Sequence, residues 1–483
     1  MTPAGKMGRR TFLRGAMGAA LLLASCSRTE SSGARPVSEA LPVVRLWGIG
    51  GINEATHHRI EARLDALVRE KLGLSVKLTM VTRSSYNERL NIAFLQGEAP
   101  DLFPIYQQSA FDRLYDSGCL RNLHGYIDED YLDSLQIPRP LWGCTRRDGD
   151  YYGVPQYSET MQFTTCQMRQ ETADALHIPQ GDRLWSWNEL HGLLLRMKEL
   201  YPDRAPLVPH YGAMLNYFGQ DSLGDDLGAL VDEDGDATTV ENLYASTRYR
   251  MICRRMRQWY QEGLILPDAY EGQVNGVLQI LQGIGCCFLQ RSGEYGASDG
   301  WVRLRLSEPT FDTYTNYVFW GVSAQSAQPW QAVQLLQAIY SDPDIALLLL
   351  FGEQGTDYRL DAAGELTVTD ASWSGNKWAW PGWQAVQQRV SLEKLRLVPK
   401  GTQVHCSPAY GFVCNARAYA AEAEACKAVV EKYNKGLLCG FLEPESTIPA
   451  FLQELEDAGI DTIIQEKQRQ LDAWLAQKEL EEK

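Results

Sequence analysis

The sequence predicts an α/β protein built on parallel sheet and divided into more than one domain. Val43-Val44-Arg45-Leu46-Trp47 reads as a short buried strand, a helix with Ile60, Leu64, Leu67 and Val68 on one face follows, and residues 75–81 alternate as a second strand. Strand, helix, strand is the unit from which parallel sheets are made. A helix over 86–95 and a strand over 100–106 then repeat the pattern. Of 483 residues, 458 lie beyond position 25, enough for two or three domains with a large core.

The chain opens on Gly8-Arg9-Arg10-Thr11-Phe12-Leu13-Arg14, followed by an apolar run to Ser25 and then Cys26. That run suits a signal peptide and is too short to span a bilayer. The arginine pair resembles the twin-arginine export signal, and Leu23-Ala24-Ser25-Cys26 resembles the lipobox of bacterial lipoproteins. There the peptide is cut before the cysteine, whose sulfur receives a diacylglyceryl group, and two acyl chains hold where one binds marginally. Residues 1–25 are therefore expected to be a leader and Cys26 the lipidation site. Residues 26–40, rich in Ser, Gly, Arg and Pro, are expected to form a flexible tether. The expected location is the extracellular face of the cell membrane. No later segment offers eighteen uninterrupted apolar residues, so the lipid is the only membrane contact expected.

The formal net charge is −15, and removing Lys6, Arg9, Arg10 and Arg14 with the leader makes it −19. Such a surface repels phosphate backbones, which excludes nucleic acid as a partner. Ten cysteines remain after Cys26, none in a Cys-x-x-Cys pair, and Cys286-Cys287 sit in an apolar run. They read as small buried hydrophobes, with a disulfide left open by export.

Signatures of chemistry fail on inspection. Gly48-Ile49-Gly50-Gly51-Ile52-Asn53 places Asn53 where a dinucleotide fingerprint needs its third glycine. Asp232-Glu233-Asp234-Gly235-Asp236 would open a calcium loop, but Ala237 and Leu243 occupy its glycine and glutamate places, so a hairpin turn is expected. Gly296-Ala297-Ser298-Asp299-Gly300 matches a nucleophile elbow in letters only, since a polar loop precedes it and the alternating strand 301–306 follows. The seven histidines are scattered without metal-ligand spacing, so neither metal nor cofactor is expected.

Several stretches carry a resemblance. Tyr86-Asn87-Glu88-Arg89-Leu90-Asn91, Gly97-Glu98-Ala99-Pro100-Asp101-Leu102, Gly118-Cys119-Leu120 with Leu123, and Asp150-Tyr151-Tyr152-Gly153-Val154-Pro155 come in a telling order. Trp185-Ser186-Trp187-Asn188-Glu189-Leu190, the segment 251–263, Tyr317-Val318-Phe319-Trp320-Gly321-Val322 and Phe351-Gly352-Glu353-Gln354-Gly355-Thr356-Asp357-Tyr358 continue it, and Ser374-Gly375-Asn376 among four tryptophans completes it. In this order they resemble extracellular solute-binding protein family 1 of ABC importers, in its Gram-positive lipoprotein branch, over residues 43–475. The resemblance implies a two-lobe, type II periplasmic-binding-protein-like fold. Each lobe would be a mostly parallel sheet flanked by helices, with a hinge of two or three crossings. It assigns 41–155 and 276–322 to lobe 1, and 156–275 and 323–483, with the C-terminal helices, to lobe 2. It also implies that Asp101 fixes a turn. Asn188 is read from its position as the cap of the helix that follows.

The function implied is binding without a covalent step. Two lobes hinge shut over a small solute, and the closed state is presented to ABC permease subunits. The resemblance implies a monomer and no enzyme. An oligosaccharide is the expected solute, since pyranose faces are apolar and their rims polar, which suits flat amphipathic rings. The aromatic candidates beside glycine-rich or polar loop tips are Trp47, Tyr106, Tyr157, Trp320, Trp378 and Trp383, with Gln107, Gln156, Glu159 and Arg291 as hydrogen-bonding neighbours. Trp187, Trp259 and Trp474 sit in helical patterns and are assigned to packing. Two alternatives stand beside this: the same fold holding a peptide or another polar solute, and an extracellular glycoside hydrolase, for which no carboxylate pair is singled out.

Overall fold

The computed structural model describes residues 41–157, 163–179, 181–209, 221–231, 236–271, 275–292, 300–313, 318–374, 376–395 and 404–481. The leader, Cys26, the tether, Glu159, the acidic turn 232–235 and most of the 296–300 motif lie outside them. The strands of the two main sheets are β1 (Val43–Ile49), β2 (Ser75–Val81), β3 (Leu102–Tyr106), β4 (Val154–Pro155) and β5 (Phe163–Arg169). β6 (Ala205–Val208), β7 (Gly285–Ser292), β8 (Trp301–Arg305) and β9 (Val318–Val322) follow.

The first sheet has the order β2-β1-β3-β9-β4. β1 runs parallel to β2 from Val43↔Ser75 to Ile49↔Val81, and parallel to β3 at Leu46↔Leu102. β9 lies antiparallel between β3 and β4, with Val318↔Tyr106 and Trp320↔Val154. Helix α1 (Glu54–Leu72) covers the Val44 and Leu46 face through Ile60, Leu64 and Val68. Its start explains the glycine loop: Asn53 is the N-cap, accepting the Thr56 N–H at 2.8 Å. Its end is Gly73, left-handed at φ 67. Helix α2 (Tyr86–Gln96) covers the opposite face, where Ile49, Val81, Phe103 and Ile105 point. Helix α3 (Gln108–Asp116) follows β3.

Helices α4 (Pro329–Ser341) and α5 (Pro343–Phe351) complete the first core on the α1 side. Every residue of α5 from Ile345 to Phe351 is buried, as befits a helix that is apolar all round. Among the described residues no single helix is long and apolar enough to cross a membrane; α4 and α5 together are, but they bend by 78°.

The second sheet has the order β8-β5-β7-β6. β7 is antiparallel to β5 (Leu289↔Cys166) and parallel to β6 (Cys287↔Leu207), and β8 is antiparallel to β5 (Leu304↔Cys166). One face, carrying Cys166, Met168, Leu289 and Leu304, packs on the helices Trp187–Leu200, Thr247–Gln261, Ala420–Leu438, Pro444–Asp457 and Ile460–Glu481. The cap of the first of these is Ser186 rather than Asn188. Ser186 Oγ accepts the Glu189 N–H at 3.2 Å while Glu189 accepts the Ser186 N–H at 2.8 Å, a reciprocal pair two positions further out. The two-residue strands Ala229–Leu230 and Val240–Glu241 flank the acidic turn and pair antiparallel. The ten described cysteines are unbridged, and seven are buried.

The chain therefore passes between two cores three times: from β4 to β5, from Leu306 to β9, and from Tyr410 to Tyr419. The lobe boundaries differ from those expected. Residues 276–305 do not return to the first lobe, because β7 fills the gap between β5 and β6 and β8 completes the β5 edge. Residues 323–395 do not join the second lobe, because the apolar α4, α5 and the tryptophans at 373–383 complete the core begun by β1 and α1. The last crossing is accordingly beyond Tyr410, not at 317–326. Parallel pairing in the main sheets is confined to β2-β1-β3 and β6-β7, since strands that arrive from the other lobe need no crossover helix.

Candidate ligand-binding cleft

β1, β2 and β3 are parallel, so their C-terminal ends and the turns after Ile49, Val81 and Tyr106 share one end of the sheet, where open α/β sheets bind ligands. At that end Arg83, just after β2, donates through Nε to Tyr106 Oη at 2.9 Å, with Nη2 on the same oxygen. Its guanidinium lies 4.9 Å over the Tyr106 ring and 5.3 Å over Trp378, and those two rings meet edge-on at 5.7 Å. The three side chains fix each other through cation–π and aromatic contacts.

Backbone geometry brings the 376–378 turn to the same place. Gly50 has φ 154, and a Cβ there would stand 2.2 Å from the Asn376 side chain, so only glycine lets the turn after β1 approach it. Gln107 holds φ 76, a conformation rare for a residue with a side chain, and its carbonyl accepts the Ala110 and Phe111 N–H groups at the start of α3.

Lys377, beside Trp378, reaches the Ser374 carbonyl at 3.4 Å. Burial, and then the charge of Arg303, push its ammonium down to about 8. Arg303 belongs to β8 of the second sheet, and burial pushes it down to about 10. The charge of Arg303, on the second sheet, is thus felt at Lys377, which lies in the 376–378 turn of the first lobe. Leu304 is in the second core, so by strand alternation Arg303 points from the opposite face. Gln167 shares that face, donating to Thr165 Oγ1 and Gln290 Oε1 at 3.1 Å each. A polar wall of the second lobe thus looks toward the aromatic rim of the first.

A groove of about 740 Å³ elsewhere, lined by Arg63, Lys71, Asp344, Glu353 and Arg389 among others, is spanned by its own ion pairs. Among the described residues no cluster of His, Cys, Asp and Glu could hold a metal ion.

The chain is 20% identical to a carbohydrate ABC transporter substrate-binding protein of Streptococcus pneumoniae, over 94% of this chain and 96% of that protein. It is 25% identical to lipoprotein LipO of Bacillus subtilis over 52% of this chain and 50% of that one. The N-glycan transport solute binding protein NgtS from Streptococcus pneumoniae superposes with a TM-score of 0.71 at 17% identity, covering 90% of this chain and 100% of NgtS. The chain has the two-lobe fold of ABC solute-binding proteins. NgtS is also known in complex with Man1GlcNAc and with Man5GlcNAc, with TM-scores of 0.69 and 0.66. DUF3502, a domain of unknown function, matches residues 408–476, the C-terminal part of this solute-binding fold.

Within the fold the sequence candidates separate. Tyr106 and Trp378 meet at the strand ends with Gln107 beside them. Trp47 is half-buried against Tyr86, 6.3 Å away, at the border of the same aromatic cluster. Gln156 is buried, its amide donating to the Trp380 carbonyl at 3.4 Å, and Tyr157 packs on the first core where the first crossing begins. Arg291 is ion-paired with Asp312, both largely buried next to the second crossing.

Trp320 and Trp383 do not line a cleft. Trp320 is 0% and Trp383 2% exposed, and their indole N–H groups donate to the Ala379 and Trp380 carbonyls at 3.2 Å. Trp320 lies on β9, covered on both sides because that strand is interior to the sheet, and it stacks on Trp380 at 5.1 Å.

Arg83, Asn376, Lys377, Thr165, Gln167 and Arg303 were missed. Arg83 could have been found, because it follows β2 as Gln107 follows β3. The others depend on which face a strand turns toward the other lobe, which no local pattern encodes.

Proposed function

We propose that this protein is a lipid-anchored extracellular receptor of an ABC importer, closing its lobes on an oligosaccharide and delivering it to the permease. The observation that carries the reading is the Arg83–Tyr106–Trp378 rim at the strand ends, opposite the polar Thr165–Gln167–Gln290 face of the second sheet. Aromatic faces take the apolar side of a pyranose, and amides and hydroxyls take its edge. Three crossings leave the lobes free to move as bodies, so the message to a permease is a shift from open to closed. The pneumococcal relative's description and the glycan complexes of NgtS support sugar as the cargo.

Binding suffices for this role; the protein is a receptor and not an enzyme. Tyr106 and Trp378 form the platform, with Trp47 and Gln107 flanking it. Residues 1–25 are the export leader, Cys26 carries the lipid, and 26–40 tether the receptor to the outer face of the membrane. The LipO relative, a lipoprotein by name, supports the anchor.

The test is a thermal-shift screen of the protein from residue 27 onward against oligosaccharide and peptide panels. A saccharide at a hundred times its dissociation constant adds about 2.7 kcal/mol of stability. Stabilisation by peptides alone would refute a sugar cargo.

A further inference from the structure

We propose that residues 408–476, the stretch matched to a domain of unknown function, serve as the bracket of the hinge. Through Lys467 they hold the 221–231 loop, whose Asp221 pins the second crossing to the start of the third. Both then move with the second lobe, and closure bends the chain on the first-lobe side. The inference depends on the two-lobe fold and not on which solute is bound.

Asp221 is 3% exposed and joins segments distant in sequence. One carboxyl oxygen accepts the Leu223 N–H at 3.1 Å and the Thr313 hydroxyl. The other accepts the Thr313 N–H at 3.1 Å and the Ser407 hydroxyl at 2.6 Å. Thr313 belongs to the second crossing, and Ser407 stands just before Tyr410, where the third begins. The two stretches also pair as the strands Thr310–Phe311 and His405–Cys406, a ladder too short to be rigid by itself. A carboxyl group held out of water is satisfied only while its donors stay in place, so Asp221 adds the rigidity that this ladder lacks.

Asp221 is anchored in turn. Its N–H donates to the Leu230 carbonyl at 3.1 Å, and the Leu230 N–H returns the bond at 2.9 Å. Lys467, 0% exposed, closes the loop from the helix Ile460–Glu481, its ammonium donating to Asp225 and, at 3.2 Å, to the Gly228 carbonyl. Leu223 and Leu230 pack with Ala409, Phe412 and Leu471, so the C-terminal stretch holds the loop by apolar contact as well. The residues between Ala409 and Phe412 turn the other way. Tyr410 enters the first core, its ring 5.5 Å from that of Phe311. Gly411, at φ 90, lies so close to the first lobe that a Cβ would stand 2.4 Å from the Pro140 carbonyl oxygen. The chain thus changes lobes within two residues of Ala409, where a hinge that takes up its rotation in a few residues has to bend.

The experiment is hydrogen exchange of the full chain in detergent, without ligand, read by mass spectrometry. It is paired with interlobe distances between nitroxides on unnatural side chains in place of the exposed Leu95 and Leu195, one on each lobe. Asp221→Asn, turned either way, sets an NH2 group against one backbone N–H, that of Leu223 or that of Thr313. It should speed exchange about tenfold at both 309–313 and 405–409, and broaden the interlobe distances. Lys467→Met should do the same from the far side of the loop, with Asp225→Asn as the milder variant if the methionine protein does not fold. Asp101→Asn, which disturbs a buried carboxyl group of the first lobe, controls for lost stability alone and should leave both readouts at their natural values. Faster exchange confined to 221–231 in the Lys467 or Asp225 variant overturns the bracket. So does an unchanged interlobe distribution in Asp221→Asn, or an equal response to Asp101→Asn. None of these outcomes touches the receptor reading, which is decided by the ligand screen.

Discussion

The Nε of Arg83 sits 2.9 Å from the hydroxyl of Tyr106, and its guanidinium plane lies over both that ring and Trp378. Residues 83 and 106 follow different strands of one parallel sheet, so the contact ties two strand ends into one surface. Replacing Trp378 by Ala should weaken saccharide binding about tenfold, roughly 1.4 kcal/mol, with a small change in melting temperature. Trp320→Ala should do the reverse, costing about 3–5 kcal/mol of stability because it empties a core site. Calorimetry with the tightest saccharide and denaturant melts of both variants check the pair.

Lys377 gives a pH test with a definite sign. Its folded value of about 8 lies below the usual 10.5, so between those values the unfolded chain binds more protons and stability rises with pH. Lys377→Met should therefore be more stable than the natural protein at pH 7, by about 1–3 kcal/mol, with the gap closing from pH 8 to 10.5. Melts of the two proteins across pH 6–10.5 without ligand provide the check. An equal gap at all pH values would mean the lysine is not strained.

Asp101 sits at the start of β3, away from the strand ends that form the rim. One oxygen accepts the Arg45 backbone N–H and the other the Ser326 hydroxyl, both at 2.8 Å. Asp101→Ala should cost about 1–3 kcal/mol, since it leaves the Arg45 N–H and Ser326 hydroxyl without their acceptor. Saccharide affinity at a temperature where the variant stays folded should be unchanged.

Arg291 and Asp312 pair beside the second crossing. Arg291→Ala should destabilise by about 3–5 kcal/mol, because it takes from a buried carboxylate the guanidinium that balances its charge. Adding Asp312→Ala should recover much of that loss. A double-mutant cycle in denaturant measures the coupling, and a large loss of affinity in a stable double variant would return Arg291 to the binding surface.

Cys26→Ala should release the protein from the membrane fraction and abolish incorporation of a labelled fatty acid, with the fold intact. Membrane retention with undiminished labelling would place the anchor elsewhere.

The glycine turn, the period of α1 and the alternation of β2 made the first sheet readable, because each records whether a side chain meets core or water within a few residues. The same logic identified Tyr106 and Trp378 as loop-tip aromatics. It failed for Trp320 and Trp383, which also neighbour glycines, because a glycine packed against Ile105, as Gly321 is, and one at a surface turn look alike in sequence.

Segment ownership was the larger surprise. Strand β7 reads as an apolar run suited to either sheet, and what decides its place is the open space between β5 and β6. By itself the sequence determined the strands β1, β2 and β3 and the helices between them, since these depend on neighbours along the chain. Only the tertiary structure decided which lobe holds β7, β8, α4 and α5 and which tryptophans are covered. Those relations join residues tens or hundreds of positions apart, and they are fixed by how buried faces fit together.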